Sequence, residues 1–189
     1  MGVVVRLGRR AGNRAGGDHV TPSTWLTANE DLLPRTGDAL DVACGGGRHA
    51  VWLAERGLRT CAVDRDEEAV RELAHEAERR ALPLRAEVLD LEAGPVHFSP
   101  PAYDLIVVVH YLHRSLFPTL IGSLRPGGVL VYDTFTRAQA ARGHPRNPAF
   151  LLEPGELVAL VRPLEILASR EGDYDGRMVA SVIARRGAI

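Results

Sequence analysis

The chain has 189 residues, with 23 lysines and arginines against 24 aspartates and glutamates and a formal net charge of −1. That length suits one domain that buries roughly 70 % of the surface its unfolded form exposes, and the balanced charge argues against a broad basic face for nucleic acid. No stretch reaches the ~20 apolar residues of a membrane span and Val3-Val4-Val5 is too short to centre a secretion signal, so a cytoplasmic protein without a membrane partner is expected.

Residues 1–20 place Arg6, Arg9, Arg10 and Arg14 among glycines, a composition that favours a flexible arm over a packed element. The domain proper is expected over 21–189. Thr21 can cap a helix with Pro22 at its first position, and the stretch carries Trp25, Leu26, Leu32 and Leu33 before Pro34 stops it. A strand follows at 39–43, then a glycine turn and a helix at 48–55, with Ala50, Val51 and Ala54 on one face and Gly57 at its end. The pattern repeats: a strand at 59–63, then a helix capped by Asp66 whose Ala69, Val70, Leu73, Ala74 and Ala77 recur at helical spacing before Pro83.

Residues 84–89, 105–109 and 128–132 read as further strands, the middle one nearly all apolar, as suits a strand covered on both faces. Helices are expected over 115–124 and from Pro154 to just before Pro163. The runs 164–169 and 178–184 are separated only by 170–177, too short for the crossover of a parallel pair, and should form an antiparallel hairpin at the sheet edge. The sum is an α/β chain with a doubly wound, mostly parallel seven-stranded sheet. Cys44 and Cys61 have no zinc or disulfide spacing and read as reduced thiols.

The chemistry concentrates in Asp41-Val42-Ala43-Cys44-Gly45-Gly46-Gly47-Arg48, with an acid, Asp64, at the end of the next strand. A ligand lying against a strand-to-helix turn needs side chains absent there, and an acid so placed can accept from two ribose hydroxyls. The strict dinucleotide spacing G-x-G-x-x-G is not met, because its third glycine falls on Ala50. Asp41, Ala43, Gly45 and Gly47 instead match D/E-x-G-x-G-x-G, with alanine for the first glycine.

On these residues the chain resembles the class I S-adenosylmethionine-dependent methyltransferases, of Rossmann-like fold. Its D-x-x-C-G-x-G-R opening is similar to that of the tellurite-resistance (TehB-type) branch. The resemblance implies S-adenosylmethionine as cofactor. Asp41, Ala43, Cys44, Gly45 and Gly47 would then hold its methionine portion, Asp64 with neighbouring Arg65 its ribose, and Asp90 with Leu91 its adenine, while the backbone of Val109 and His110 lies under the methyl-bearing end.

The fourth strand runs into His110-Tyr111-Leu112-His113-Arg114 at the carboxyl edge, where open α/β sheets bind ligands. His110 or Tyr111 is expected to act as a base or to position the acceptor, and Arg114 to clamp an anion. His110 and His113 lack a third metal ligand, so no metal is expected. Asp133, Thr134 and Phe135 reach the same edge, the basic segment 137–147 could be a lid, and Trp25 could cover the cofactor. The chain has His110-Tyr111-Leu112-His113 where enzymes that methylate base amines carry N-P-P-Y or D-P-P-Y, which favours a small-molecule acceptor such as a thiol or a metalloid or chalcogen oxyanion. The alternatives are an RNA or protein methyltransferase gripping through the arginine arm, a non-catalytic cofactor-binding module and, more distantly, a dinucleotide oxidoreductase.

Overall fold

The computed structural model describes residues 21–98 and 102–188, so the expected arm at 1–20 lies outside the described residues. Seven strands, β1 (Asp38–Val42), β2 (Arg59–Asp64), β3 (Leu84–Val88), β4 (Tyr103–Val109), β5 (Leu124–Phe135), β6 (Glu165–Tyr174) and β7 (Arg177–Arg185), form one sheet in the order β3-β2-β1-β4-β5-β7-β6. The first five pair in parallel, and β7 runs antiparallel to both β5 and β6. This is the Rossmann-like sheet with a closing antiparallel hairpin.

Among the described residues five α-helices accompany it: α1 (Thr24–Ala28), α2 (Arg48–Glu55), α3 (Glu67–Arg79), α4 (Phe117–Ser123) and α5 (Glu156–Leu160). Asp66 caps α3, accepting from the Glu68 and Ala69 amides, and Val70, Leu73 and Ala77 recur on its buried face. Because side chains alternate along a strand, the sheet carries two cores. Leu40, Val42, Ile106, Val108, Leu130 and Tyr132 face one, with the Phe117 ring stacked 4.7 Å from Tyr132; Ala39, Leu105, Val107, Val131 and Ile183 face the other, with Leu26 and Leu53.

Three elements depart from the sequence reading. The leading helix is shorter than expected: α1 spans Thr24–Ala28 behind Ser23, and the chain tightens into a 3-10 turn at Glu30–Leu32, so Thr21 is not its cap. β5 extends to Phe135 because β7 pairs with it that far. The hairpin link is only Asp175-Gly176, both at positive φ (53° and 74°), which lets the strands run through Arg170 and Arg177.

Candidate functional site

At the carboxyl end of β1 the chain must turn into α2, whose N-cap is Gly47, with no side chain to offer the first amides. Asp41 supplies that group from inside the strand: only 1 % exposed, it accepts the Ala50 amide at 3.0 Å. Burial pushes its carboxyl up to about 7, against the lowering effect of that hydrogen bond. Asp41 therefore fixes the turn from beneath. Ala43 sits at φ +55°, where a glycine would be relaxed. The Cys44 thiol is buried with Ala50, Ala62 and Leu73, and burial raises its pKa. Its side chain faces the core, which leaves only its backbone for the expected cofactor contact.

The three glycines have different reasons to be bare. A Cβ on Gly45 or Gly46 would meet nothing within 4 Å, whereas one on Gly47 would lie 2.4 Å from the Leu73 methyls. Gly47 is thus demanded by α3, and the open space lies beside Gly45 and Gly46. Asp64 braces the turn: Oδ2 accepts the Gly45 amide at 2.8 Å and Oδ1 the Asp66 amide at 2.9 Å. Each oxygen retains a second acceptor site.

A cleft next to this turn is lined by Ala43, Asp64, Arg65, Asp90, Leu91 and Tyr111, bringing together residues far apart in the chain. Asp90 holds its own loop by accepting the Glu92 amide at 2.9 Å, and Arg65 lies 4.0 Å from Glu92. Tyr111 Oη is buried with no hydrogen-bond partner among the described residues, and burial raises its pKa. An orphaned hydroxyl, open room beside Gly45 and an acid with spare lone pairs fit a ligand that carries a sugar and a polar base.

A second cavity, of about 160 Å³, opens on the other side of the β4 end, lined by Ser23, Arg48, His110, Asp133, Arg170 and Arg177 among others. His110 takes φ +58°, its amide donates to the Asp133 carbonyl at 2.8 Å, and its ring stacks on Phe135 at 4.6 Å. Asp133 is 4 % exposed and accepts from Ser181 Oγ at 2.8 Å and Ser23 Oγ at 3.1 Å. Burial raises its pKa against those two bonds. His49, also buried, accepts the Ser23 amide on Nε2 at 3.2 Å; burial, with Arg48 and His110 nearby, lowers its pKa to about 3, so it stays neutral. The leading segment is therefore tied across the cavity, and Thr24 Oγ1 also donates to Asp175 at the hairpin tip at 2.6 Å.

Several expected roles move. Tyr111 lies in the first cleft and His110 in the second, so the pair does not share one acceptor pocket. Arg114 is not placed as an anion clamp: its Nε and Nη2 donate to Glu156, and its Nη groups also donate to the carbonyls of Ala149 and Leu151. Trp25 is 7 % exposed and packs in the core with Leu26 and Leu53. The 137–147 segment is pinned, Arg142 to Asp173 and Gln139 to both the Met178 amide and the His144 carbonyl. Arg48, His49, Arg170 and Arg177 went unassigned in the sequence; the last two had been read as hairpin link, and the Asp-Gly pair that places the turn after Tyr174 was the signal for them.

Residues 39–128 match a protein family described as methyltransferase domain. The chain is 32 % identical over 118 residues to hemagglutinin 1 of Eikenella corrodens, 59 % of this chain and 37 % of that one. It is 25 % identical over 136 residues to YqeM of Bacillus subtilis, named as a methyltransferase, covering 67 % of this chain and 54 % of that one. The chain thus spans about a third to a half of the curated relatives it matches. Among solved structures, an S-adenosylmethionine-dependent methyltransferase from Mesorhizobium loti superposes with TM-score 0.66 at 22 % identity, covering 85 % of this chain and 96 % of that one. TehB from Haemophilus influenzae gives 0.69 at 21 %, covering 85 % and 60 %. At these identities the structural likenesses establish the fold. The fold is thus Rossmann-like, and residues 39–128 within it match a methyltransferase domain.

Proposed function

We propose that the protein transfers a methyl group from S-adenosylmethionine to a small-molecule acceptor in the cytoplasm, along the lines of the tellurite-resistance branch. The observation that carries this reading is the pairing of two spaces at one sheet edge: the bare room at Gly45 and Gly46 beside Asp64, and the arginine-lined cavity beyond His110.

When bound, the cofactor supplies an electrophilic methyl group on a sulfonium sulfur. Asp64 accepts from the ribose hydroxyls with the lone pairs its two backbone bonds leave over. The Gly45 amide donates to Asp64 and the Gly47 amide to the Cys44 carbonyl, so it is the Gly46 amide, at the turn into α2, that suits the amino-acid carboxylate. Asp90 and Leu91 would flank the adenine, Arg65 would stand with Asp64 at the ribose, and Tyr111 Oη would find a partner in the same cleft. The backbone of Val109 and His110, at the end of β4, would lie under the methyl-bearing end. The chain's main contribution is alignment, bringing the acceptor atom to roughly 3 Å from the methyl carbon. A base is required only for an acceptor that arrives protonated, and His110, which lines the second cavity, would supply it.

A volume of about 160 Å³ suits a small acceptor, a thiol or an oxyanion among them, since a water occupies about 30 Å³. Incubation with methyl-labelled cofactor and a panel of thiols, metalloid oxyanions, small amines and bulk RNA tests the reading. Label transfer to a small acceptor is expected; transfer to RNA alone would overturn the acceptor class.

A further inference from the structure

Arg170 stands on β6, at the wall of the second cavity. Its guanidinium carbon lies 4.7 Å from the Trp25 ring and 4.2 Å from the Tyr174 ring, and its Nε donates to Ser181 Oγ at 3.1 Å. Ser181 passes its own proton on to Asp133 Oδ1 at 2.8 Å. Ring contacts and one hydrogen bond therefore fix the guanidinium, while Nη1 and Nη2 make no hydrogen bond among the described residues. A guanidinium held in this way leaves a planar pair of donors whose match is a planar, two-oxygen anion.

The cavity wall also carries Arg48, Arg177, Asp133 and Asp175. Asp133 accepts two hydroxyl protons, as a carboxylate does, and would repel a doubly charged ligand. Resting on the proposed methyl transfer, we infer that the acceptor is a small carboxylate-bearing molecule whose carboxylate docks on the outer edge of Arg170. Arg170 is then the residue that determines acceptor specificity.

The probe is propionate, titrated by calorimetry and ligand-observed NMR into the protein with and without S-adenosylhomocysteine. Propionamide serves as the neutral match and inorganic phosphate as the tetrahedral anion. Propionate binding at millimolar concentration is expected, at least tenfold tighter than phosphate, with none for propionamide. Arg170→Gln should weaken propionate tenfold or more, and Arg170→Lys, which keeps the charge and loses the fork, should weaken it by a smaller factor. Both variants should keep the wild-type affinity for S-adenosylhomocysteine.

Equal binding of phosphate and propionate would overturn the inference, as would propionate binding indifferent to both substitutions. A tenfold loss of S-adenosylhomocysteine affinity in Arg170→Lys would assign the fork to the cofactor instead and equally overturn it. Because propionate is also titrated alone, a protein that ignores S-adenosylhomocysteine but binds propionate through Arg170 would sink the cofactor reading and leave the carboxylate site standing.

Discussion

Replacing Gly47 and Gly45 by alanine, one at a time, separates what the fold demands of the turn from what a ligand demands. Both glycines are at positive φ, +76° and +54°, so each alanine meets the left-handed penalty of about 1–2 kcal/mol. Only the Gly47 Cβ collides, 2.4 Å from two Leu73 methyls in the packed interface between the turn and α3. Overpacking of that kind costs about 1–3 kcal/mol. Gly47→Ala should therefore lose about 2–5 kcal/mol and Gly45→Ala about 1–2, against a total that is ~5–15 for a domain. The gain alanine makes by restricting the unfolded chain is common to both and cancels in the difference. Urea unfolding measures the stabilities, and calorimetry with S-adenosylhomocysteine the binding. Gly45→Ala should bind at least tenfold more weakly while remaining folded, since its new methyl enters the open space. If the two variants unfold at the same urea concentration, the assignment of Gly47 to packing is wrong.

Ala43→Gly should stabilise the protein by about 0.5–1 kcal/mol in the same unfolding experiment, because relief of the strained φ of +55° exceeds glycine's entropic cost. Arg114→Ala should lower stability by about 1–2 kcal/mol near neutrality without changing S-adenosylhomocysteine affinity, since its partners are Glu156 and two carbonyls. The Arg114 guanidinium holds the Glu156 carboxyl below its usual range, so the variant's deficit should shrink as acid protonates Glu156. For His49, the folded pKa of about 3 lies below the unfolded 6.5, so the unfolded chain takes up the proton and stability should fall as pH drops between those values. Asp41, raised to about 7, acts in the opposite sense, so the test is the difference between wild type and His49→Gln, whose acid limb should be shallower.

What the sequence made legible was local. Asp66 announced α3 and the apolar 3.6-residue period its buried face, and both signals are complete within a dozen residues. The mostly parallel sheet followed from the alternation of strands and helices, and the antiparallel edge hairpin from a short last link. The site was half legible: Asp41, Ala43, Asp64, Asp90 and Tyr111 converge on one turn and cleft, yet their tasks were hidden in partners remote in the chain. Asp41, expected at the methionine portion of the cofactor, also clasps the Ala50 amide. Arg114 looked like an anion clamp because Glu156, 42 residues on, leaves no mark near it. Arg170 read as a link residue because the whole of 170–177 was taken as the hairpin link, although Asp175-Gly176 alone makes the turn, and with it went the wall of the second cavity. For Trp25 the sequence left a cofactor cover and core packing open alike, and the structure puts it in the core.

The most direct test is a calorimetric titration of the wild-type chain and Asp64→Asn with S-adenosylhomocysteine, run beside NADH. The wild type should bind S-adenosylhomocysteine at one site and ignore NADH, with Asp64→Asn weaker by about 1.5–3 kcal/mol as a charge-assisted bond is lost. Heat from NADH and none from S-adenosylhomocysteine, or equal affinity in both proteins, would contradict the account.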